Sequence, residues 1–364
     1  MSLADEADRK PQKGRGAVSN PAGRFESQRR THWDDGWDLS EETLPALETV
    51  MTDEPAKSII SHNDSPDIVF DRSINPYKGC EHGCIYCYAR PSHGYLNLSA
   101  GLDFETRLFY KSNAAELLEQ EFRKPDYQPA VIALGANTDP YQPIERRLGI
   151  TRSILQVMLR FRHPLGIITK GAALVERDLD LFIQLARENL VVVAVTLTTL
   201  QAALKRTLEP RAASPASRLR LIRTLSDAGV PVRVMFSPVI PFINDAELEQ
   251  VLEQAAASGA TMASSTFLRL PHEVKDLFRE WLETHYPLKA QHVMSLVMQS
   301  RGGKAYDSTF GSRMRGEGHF AELIAQRFRL AKRRYGLEST RHPFNLSAFR
   351  VPDLAPGTGQ LRLF

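Results

Sequence analysis

The sequence predicts an α/β fold built on a parallel sheet, and three observations predict it. Apolar runs of strand length alternate with amphipathic segments of helix length. The strand runs are near-continuous Val, Ile and Leu, the composition a strand needs when both its faces are buried. The alternation repeats about six times, and repeated βα units imply a parallel sheet with its helices outside. Such a sheet can be doubly wound or barrel-like. In either form the reactive side chains belong at the C-terminal ends of the strands.

Residues 1–67 read as an irregular N-terminal arm. Gly, Pro, Ser and charge dominate there with little periodicity, and Phe25, Trp33 and Trp37 are the aromatics able to dock it. Residues 68–290 carry the βα units. Strands are expected in IVFDRSI from Ile68, PAVIALG from Pro129, LGIITKG from Leu165, LVVVAVTL from Leu190, VPVRVMFSPV from Val230 and ATMASSTFLRL from Ala260. Helices are expected in NAAELLEQEF, TRSILQVMLRF, RDLDLFIQLARE, SRLRLIRTLSDAG, DAELEQVLEQAAASG and VKDLFREWLETHY, where apolar residues recur at i, i+3, i+4 and i+7. Gly229 and Gly259 are helix stops, and Asp245 is placed to cap a helix start. Residues 291–364 form a C-terminal extension with a basic helix, expected over Phe320–Tyr335, and a loop-like tail.

The net charge of +3 is too small to name a partner. Its distribution says more. The start is basic (Arg9, Lys10, Lys13, Arg15), the stretch from Trp33 to Asp71 is acidic, and Arg327–Arg334 is basic again. Basic segments of this kind serve either nucleic-acid phosphates or simply solvated helix faces. The longest apolar run, LVVVAVTLTTL from Leu190, is too short to span a bilayer and reads as a buried strand. The N-terminus lacks the apolar core of a secretory signal, so the expected compartment is the cytoplasm, with no membrane partner.

The chemistry concentrates in GCEHGCIYCYAR, from Gly79 to Arg90. The chain has three cysteines, Cys80, Cys84 and Cys87, and all lie in this loop with C-x3-C-x2-C spacing. Thiolates are soft ligands suited to iron–sulfur clusters, zinc or Cu(I). A structural zinc would need a fourth ligand, such as His82 or His93. A four-iron cluster on three cysteines instead leaves one iron open to a small molecule, and an open position marks a catalytic metal. Polar residues end several strands and are the partners such a centre would draw on: Thr138 and Asp139, Lys170, Thr196 and Thr198.

The motif Cys80-EHG-Cys84-IY-Cys87, heading a series of βα units, resembles the signature of the radical S-adenosylmethionine (radical SAM) superfamily. Within it the stretch from Ser73 to Leu270 is similar to the branch related to spore photoproduct lyase, often called DNA repair photolyase-like, and to a bacterial subgroup of that branch. The marks are NPYKGCEHGCIYCYAR, NTDPYQPIE from Asn137, ITKG from Ile168 and LEPRAASPASRL. The resemblance implies a partial (β/α)6 TIM-like barrel, a [4Fe-4S] cluster on the three cysteines, and S-adenosyl-L-methionine (SAM) on the open iron. It implies reductive cleavage of SAM to a 5′-deoxyadenosyl radical, with the electron from a reductant such as flavodoxin or ferredoxin.

The resemblance also implies roles for single residues. Thr138 and Asp139 fall where the family contacts the SAM amino group, though Asp139-Pro140 is equally a turn. Lys170 matches a lysine that approaches the SAM carboxylate. Thr196 and Thr198 are placed for the ribose, and Tyr86 and Tyr88 match tyrosines linked to SAM packing and hydrogen-atom return. One departure matters: the lyase's hydrogen-donating cysteine falls at Ala136 here, and no spare cysteine exists. A nucleic-acid substrate rests on the family and on the basic C-terminal segment. Radical modification of a protein or metabolite, and a non-catalytic zinc-containing nucleic-acid-binding protein, stand as alternatives.

Overall fold

A computed structural model of the chain describes residues 11–25, 47–338 and 342–353. Trp33, Trp37, Arg9 and Lys10 lie outside the described residues. The strands are β1 (Val50–Asp53), β2 (Ile60–His62), β3 (Arg72–Ile74), β4 (Tyr77–Lys78), β5 (Arg107–Tyr110), β6 (Ile132–Leu134), β7 (Leu165–Thr169), β8 (Val191–Thr196), β9 (Val232–Val239) and β10 (Met262–Phe267). Six of them pair in parallel in the order β3-β6-β7-β8-β9-β10, which is chain order. A doubly wound sheet reverses its strand order at a switch point; this one never does, so right-handed crossovers stack every helix on one face. That is the partial (β/α)6 barrel. Among the described residues β3 and β10 do not pair, and the barrel stays open between them.

Alternation along each strand separates the two faces. Val191, Val193 and Val195 join the main core with helix residues such as Leu185, Leu221 and Leu225, so Val192, Ala194 and Thr196 face the lumen. By the same parity Val234 and Phe236 face the helices, while Met235 and Ser237 face inward. The expected helices form at Ala114–Phe122, Ile150–Arg160, Leu179–Arg187, Pro215–Asp227, Leu248–Ala257 and Val274–His285. The helices ahead of Gly229 and Gly259 stop just before those residues.

Three expectations change. The first barrel strand keeps only Arg72–Ile74. Residues 68–71 belong to a loop tied back by Asn63, whose Nδ2 donates to the Phe70 carbonyl at 2.9 Å and whose backbone N–H donates to the Asp71 carbonyl at 2.8 Å. Asp245 caps no helix; it opens a single 3-10 turn and sits 3.9 Å from Arg327. The stretch expected to be irregular contains β1 and β2. β1 pairs in parallel with β5, and β2 covers the outer edge of β3.

The C-terminal extension closes the remaining gaps. The helix Gly318–Arg334 packs on Leu248–Ala257 and β10, outside the barrel. Arg327 is held there by Glu249 at 2.6 Å. Ahead of it, residues 304–316 run across the C-terminal end of β10 as a strap. The Gly311 N–H donates to Asp67 at 2.6 Å, and the Arg313 guanidinium pairs with Asp67 and Ser65. Those acceptors lie in the loop after β2, so the strap bridges the open side of the barrel.

Candidate active site

The cysteine loop leaves the small β4 strand at the C-terminal mouth of the barrel. Each cysteine carbonyl accepts the amide three residues on: Cys80 from Gly83, Cys84 from Cys87, and Cys87 from Arg90. Three successive tight turns need backbone freedom. Gly79 (φ 78°) and Gly83 (φ 65°) supply it; a Cβ on Gly79 would come 2.7 Å from Leu108 and 2.9 Å from the Phe104 carbonyl.

The loop is clamped from behind by side chains that are fully buried. Arg90 donates to the carbonyls of Cys84 (2.9 Å), Ala100 (3.0 Å), Gly101 (2.9 Å) and Gly83 (3.3 Å), and pairs with Glu105. Glu105 also accepts the backbone N–H of Gly16 and of Ala17, both at 2.9 Å, so residues 15–17 of the N-terminal arm are part of the clamp. From the other side Gln142 accepts the Glu81 N–H at 2.9 Å and donates to the Gly79 carbonyl at 3.2 Å.

The three thiols are free; Cys80 and Cys84 are buried and Cys87 is half-buried. Burial first, then Asp139 and the two other cysteines, pushes the Cys80 thiol well above its ordinary value. Burial also pushes Cys84 up, to about 12, with Lys170 opposing it. Thiolates in this pocket therefore need cations beside them, and the iron of a cluster provides such charge. Among the described residues no group of three His, Cys, Asp or Glu is gathered tightly enough for a single metal ion. A four-iron cluster places each thiolate on its own iron and asks for no such convergence. His93 bonds the Arg107 carbonyl at 2.9 Å, and His82 lies 3.2 Å from Asp139.

The strand-end residues divide into two kinds. Asp139 lies beside Cys80, but its carboxylate is engaged: it accepts from Thr169 Oγ1 (2.8 Å), Tyr141 N (2.9 Å) and Lys170 N (2.6 Å). Although burial opposes ionisation, His82 and these donors hold it down at about 2. The Thr138 hydroxyl donates to the Tyr77 carbonyl at 2.8 Å. Both residues thus build the β6 and β7 turns, and Asp139 sets the backbone of Lys170. Lys170 itself points into the lumen with its ammonium 5.8 Å from the Tyr86 ring centre. Burial works against its charge, but Cys84, Glu209 and Asp139 raise its pKa on balance, so it stays cationic.

Glu209, which carried no expected role, is the hub of the opposite wall. Fully buried, it accepts from Tyr86 Oη, from Thr198 Oγ1 at 2.7 Å, and from Arg218 at 2.5 Å. The Thr198 hydroxyl is therefore committed to Glu209, and Tyr86 is a buried, hydrogen-bonded side chain. Thr196 faces the lumen, and its carbonyl accepts from Arg218 at 2.9 Å. Tyr88 is half-exposed; its hydroxyl donates to the Ala136 carbonyl, and the Arg269 guanidinium lies over its ring at 5.4 Å. The only trace of Glu209 in the sequence is its place in LEPRAASPASRL. An ion pair across a loop has no periodicity to announce it.

The radical SAM superfamily model matches residues 74–255, half of the chain, from β3 through the helix after β9. The chain belongs to the radical SAM superfamily. An uncharacterized protein of Mycobacterium tuberculosis is 39% identical over 220 residues, covering 60% of this chain and 64% of that protein. The chain thus matches just under two thirds of the length of its mycobacterial relatives. An uncharacterized protein of Methanocaldococcus jannaschii is 30% identical over 217 residues, covering 59% of this chain and 76% of that protein. Among solved structures, a tyrosine-to-phenylalanine mutant of spore photoproduct lyase superposes with a TM-score of 0.57 at 13% identity, over 79% of this chain and 80% of that one. The lyase complexed with dinucleoside spore photoproduct gives 0.55 at 15% identity, over 78% and 79%. At these identities the likeness is one of fold. The family implies a [4Fe-4S] cluster and SAM. No helix of the described residues is long and apolar enough to cross a membrane.

Proposed function

We propose that this chain is a radical SAM enzyme of the spore photoproduct lyase-related branch, with Cys80, Cys84 and Cys87 holding a [4Fe-4S] cluster and Lys170 neutralising the carboxylate of SAM. The observation that carries the reading is the placement of three free thiols at the mouth of the six-stranded parallel barrel, beside a lysine kept cationic by its surroundings. When bound, the cluster and SAM supply one-electron cleavage of the sulfonium C–S bond to methionine and a 5′-deoxyadenosyl radical, which takes a hydrogen atom from the substrate. The protein's share is positioning and exclusion of water. Arg90 and Gln142 fix the cysteine backbone, Asp139 fixes Lys170, and Glu209 fixes Tyr86 and Thr198. Thr196 is the strand-end hydroxyl left for the ribose, and Tyr88, half-exposed, is the tyrosine nearest the substrate side.

Hydrogen return by a cysteine is not available. All three cysteines lie in the loop, and Ala136 offers only its carbonyl, bound by Tyr88. The reaction therefore differs from the cysteine-dependent repair that the branch resemblance implies. A nucleic acid is the substrate class we favour, ahead of a protein or metabolite. A reductant such as flavodoxin or ferredoxin delivers the electron.

Anaerobic reconstitution with iron, sulfide, reductant and SAM tests the chemistry. The expected result is a brown protein with about four irons per chain that forms 5′-deoxyadenosine. A colourless chain with one zinc, as the non-catalytic alternative requires, would overturn it. Lys170→Met should weaken SAM binding about tenfold or more, the worth of one charge-assisted hydrogen bond, while leaving the iron content unchanged. Equilibrium binding of SAM to the loaded protein checks this, and unchanged affinity removes Lys170 from the site.

A further inference from the structure

The helix Gly318–Arg334 was the sequence's candidate for nucleic-acid contact, but it packs on the outside of the barrel and commits Arg327 to Glu249. The mouth has its own cations. Arg269 follows β10 and lies over Tyr88, the residue next to Cys87. Its other contacts are long ones, to Tyr306 Oη and Met314 Sδ, both at 3.5 Å. Its Nε is buried without a partner, and no carboxylate among the described residues comes within ion-pair distance, Asp67 being held by Arg313. Deeper in the barrel, Ser237 Oγ near the end of β9 and Ser264 Oγ on β10 are also buried and unpartnered. The strap adds Lys304 and Arg315, while its Arg313 is held by Asp67 and Ser65. It also adds aromatic surface: Phe310 is exposed, with the Arg313 guanidinium 4.4 Å from its ring centre.

We propose that Arg269 and the strap 304–316 form a phosphate-reading wall that presents one nucleotide of a nucleic-acid strand to the Tyr88 side of the site. The observations favour phosphate over a peptide carboxylate because cations and aromatic faces alternate here. A strand that carries both phosphates and base faces fits that alternation. A guanidinium with only long, weak contacts and no carboxylate partner among the described residues suits a tetrahedral oxyanion. The proposal rests on the functional reading above for its chemistry, but the binding surface stands on these contacts alone.

The test is fluorescence anisotropy of a labelled single-stranded oligonucleotide with the full-length protein across a salt series. The wild-type chain should bind with a marked salt slope. Arg269→Gln should bind about tenfold more weakly, with the slope reduced by about one. Phe310→Ala, at an exposed position on the strap, should weaken binding several-fold, with the melting temperature checked because Arg313 lies over its ring. Arg334→Gln, on the outer helix, should leave it unchanged. Unaltered affinity and slope in Arg269→Gln would overturn the wall, as would no binding at low salt, or equal displacement by a glutamate-rich peptide. A wild-type chain that forms no 5′-deoxyadenosine yet shows the Arg269-dependent slope overturns the radical chemistry and supports the wall.

Discussion

Cys84→Ala should lose most of the iron that the wild-type chain takes up and should form 5′-deoxyadenosine more than a hundredfold more slowly. Losing only a hydrogen-bonded outer partner of a metal ligand already costs about 10–100-fold, and here a ligand itself is removed. The substitution isolates that effect because everything else about Cys84 is backbone. Its carbonyl accepts from Cys87 N and from Arg90 Nε, and its neighbour Ile85 donates to the Leu208 carbonyl at 3.2 Å. Those bonds survive the change. The lost sulfur is a small buried atom, worth roughly 1 kcal/mol of folding stability. The circular dichroism melt should therefore stay near that of wild type while iron content and SAM cleavage collapse together. A variant that kept four irons would remove Cys84 from the ligand set, and one that kept cleaving SAM would remove the cluster from the chemistry.

The parts of the fold that the sequence announced are those with a repeat. Val191, Val193 and Val195 fill the helix-facing side of β8, and an unbroken apolar run of that length has few other uses. The order of the units along the chain gave the parallel sheet. Its closure into a partial barrel followed only from the resemblance, because neither periodicity nor length says whether strand order reverses. The cysteine loop was legible for a different reason: spacing fixes ligand geometry with no help from the rest of the chain. The supports of the loop were not legible. Arg90 and Glu105 are fifteen residues apart, and Glu105 reaches back to Gly16 and Ala17 in a segment that composition marked as irregular. Long-range polar contacts leave no local pattern. Thr138 and Thr198 show the same hidden layer from the other side. Their strand-end positions suggested ligand contact, and the structure adds that their hydroxyls donate to the Tyr77 carbonyl and to Glu209.

Glu209 is where this hidden layer has its largest consequence. Glu209→Ala should destabilise the chain by about 3–5 kcal/mol, the cost of leaving one member of a buried ion pair uncompensated. Arg218, 1% exposed, would keep only the carbonyls of Ala213 and Thr196, and the hydroxyls of Tyr86 and Thr198 would lose their acceptor. The wild-type pair also predicts an acid limb. Burial works against the Glu209 charge, but Arg218, Lys170 and the two hydroxyls hold its pKa at about 2. A folded value below the unfolded one of about 4.3 means the contribution is complete above that pH. It is then lost as pH falls toward 2, by on the order of 3 kcal/mol in all. Denaturant titrations at pH 7 and pH 3 should show wild type losing part of this, with Glu209→Ala weaker at pH 7 and flatter between the two. Equal stability of the two chains at pH 7 would mean that Arg218 finds another partner. The site should feel the change as well. Removing Glu209 takes away one of the negative charges that keep Lys170 cationic, and it unpins Tyr86 beside Cys84. In an independently stabilised background, SAM affinity should therefore fall, although the Glu209 carboxylate is itself taken up by Tyr86, Thr198 and Arg218.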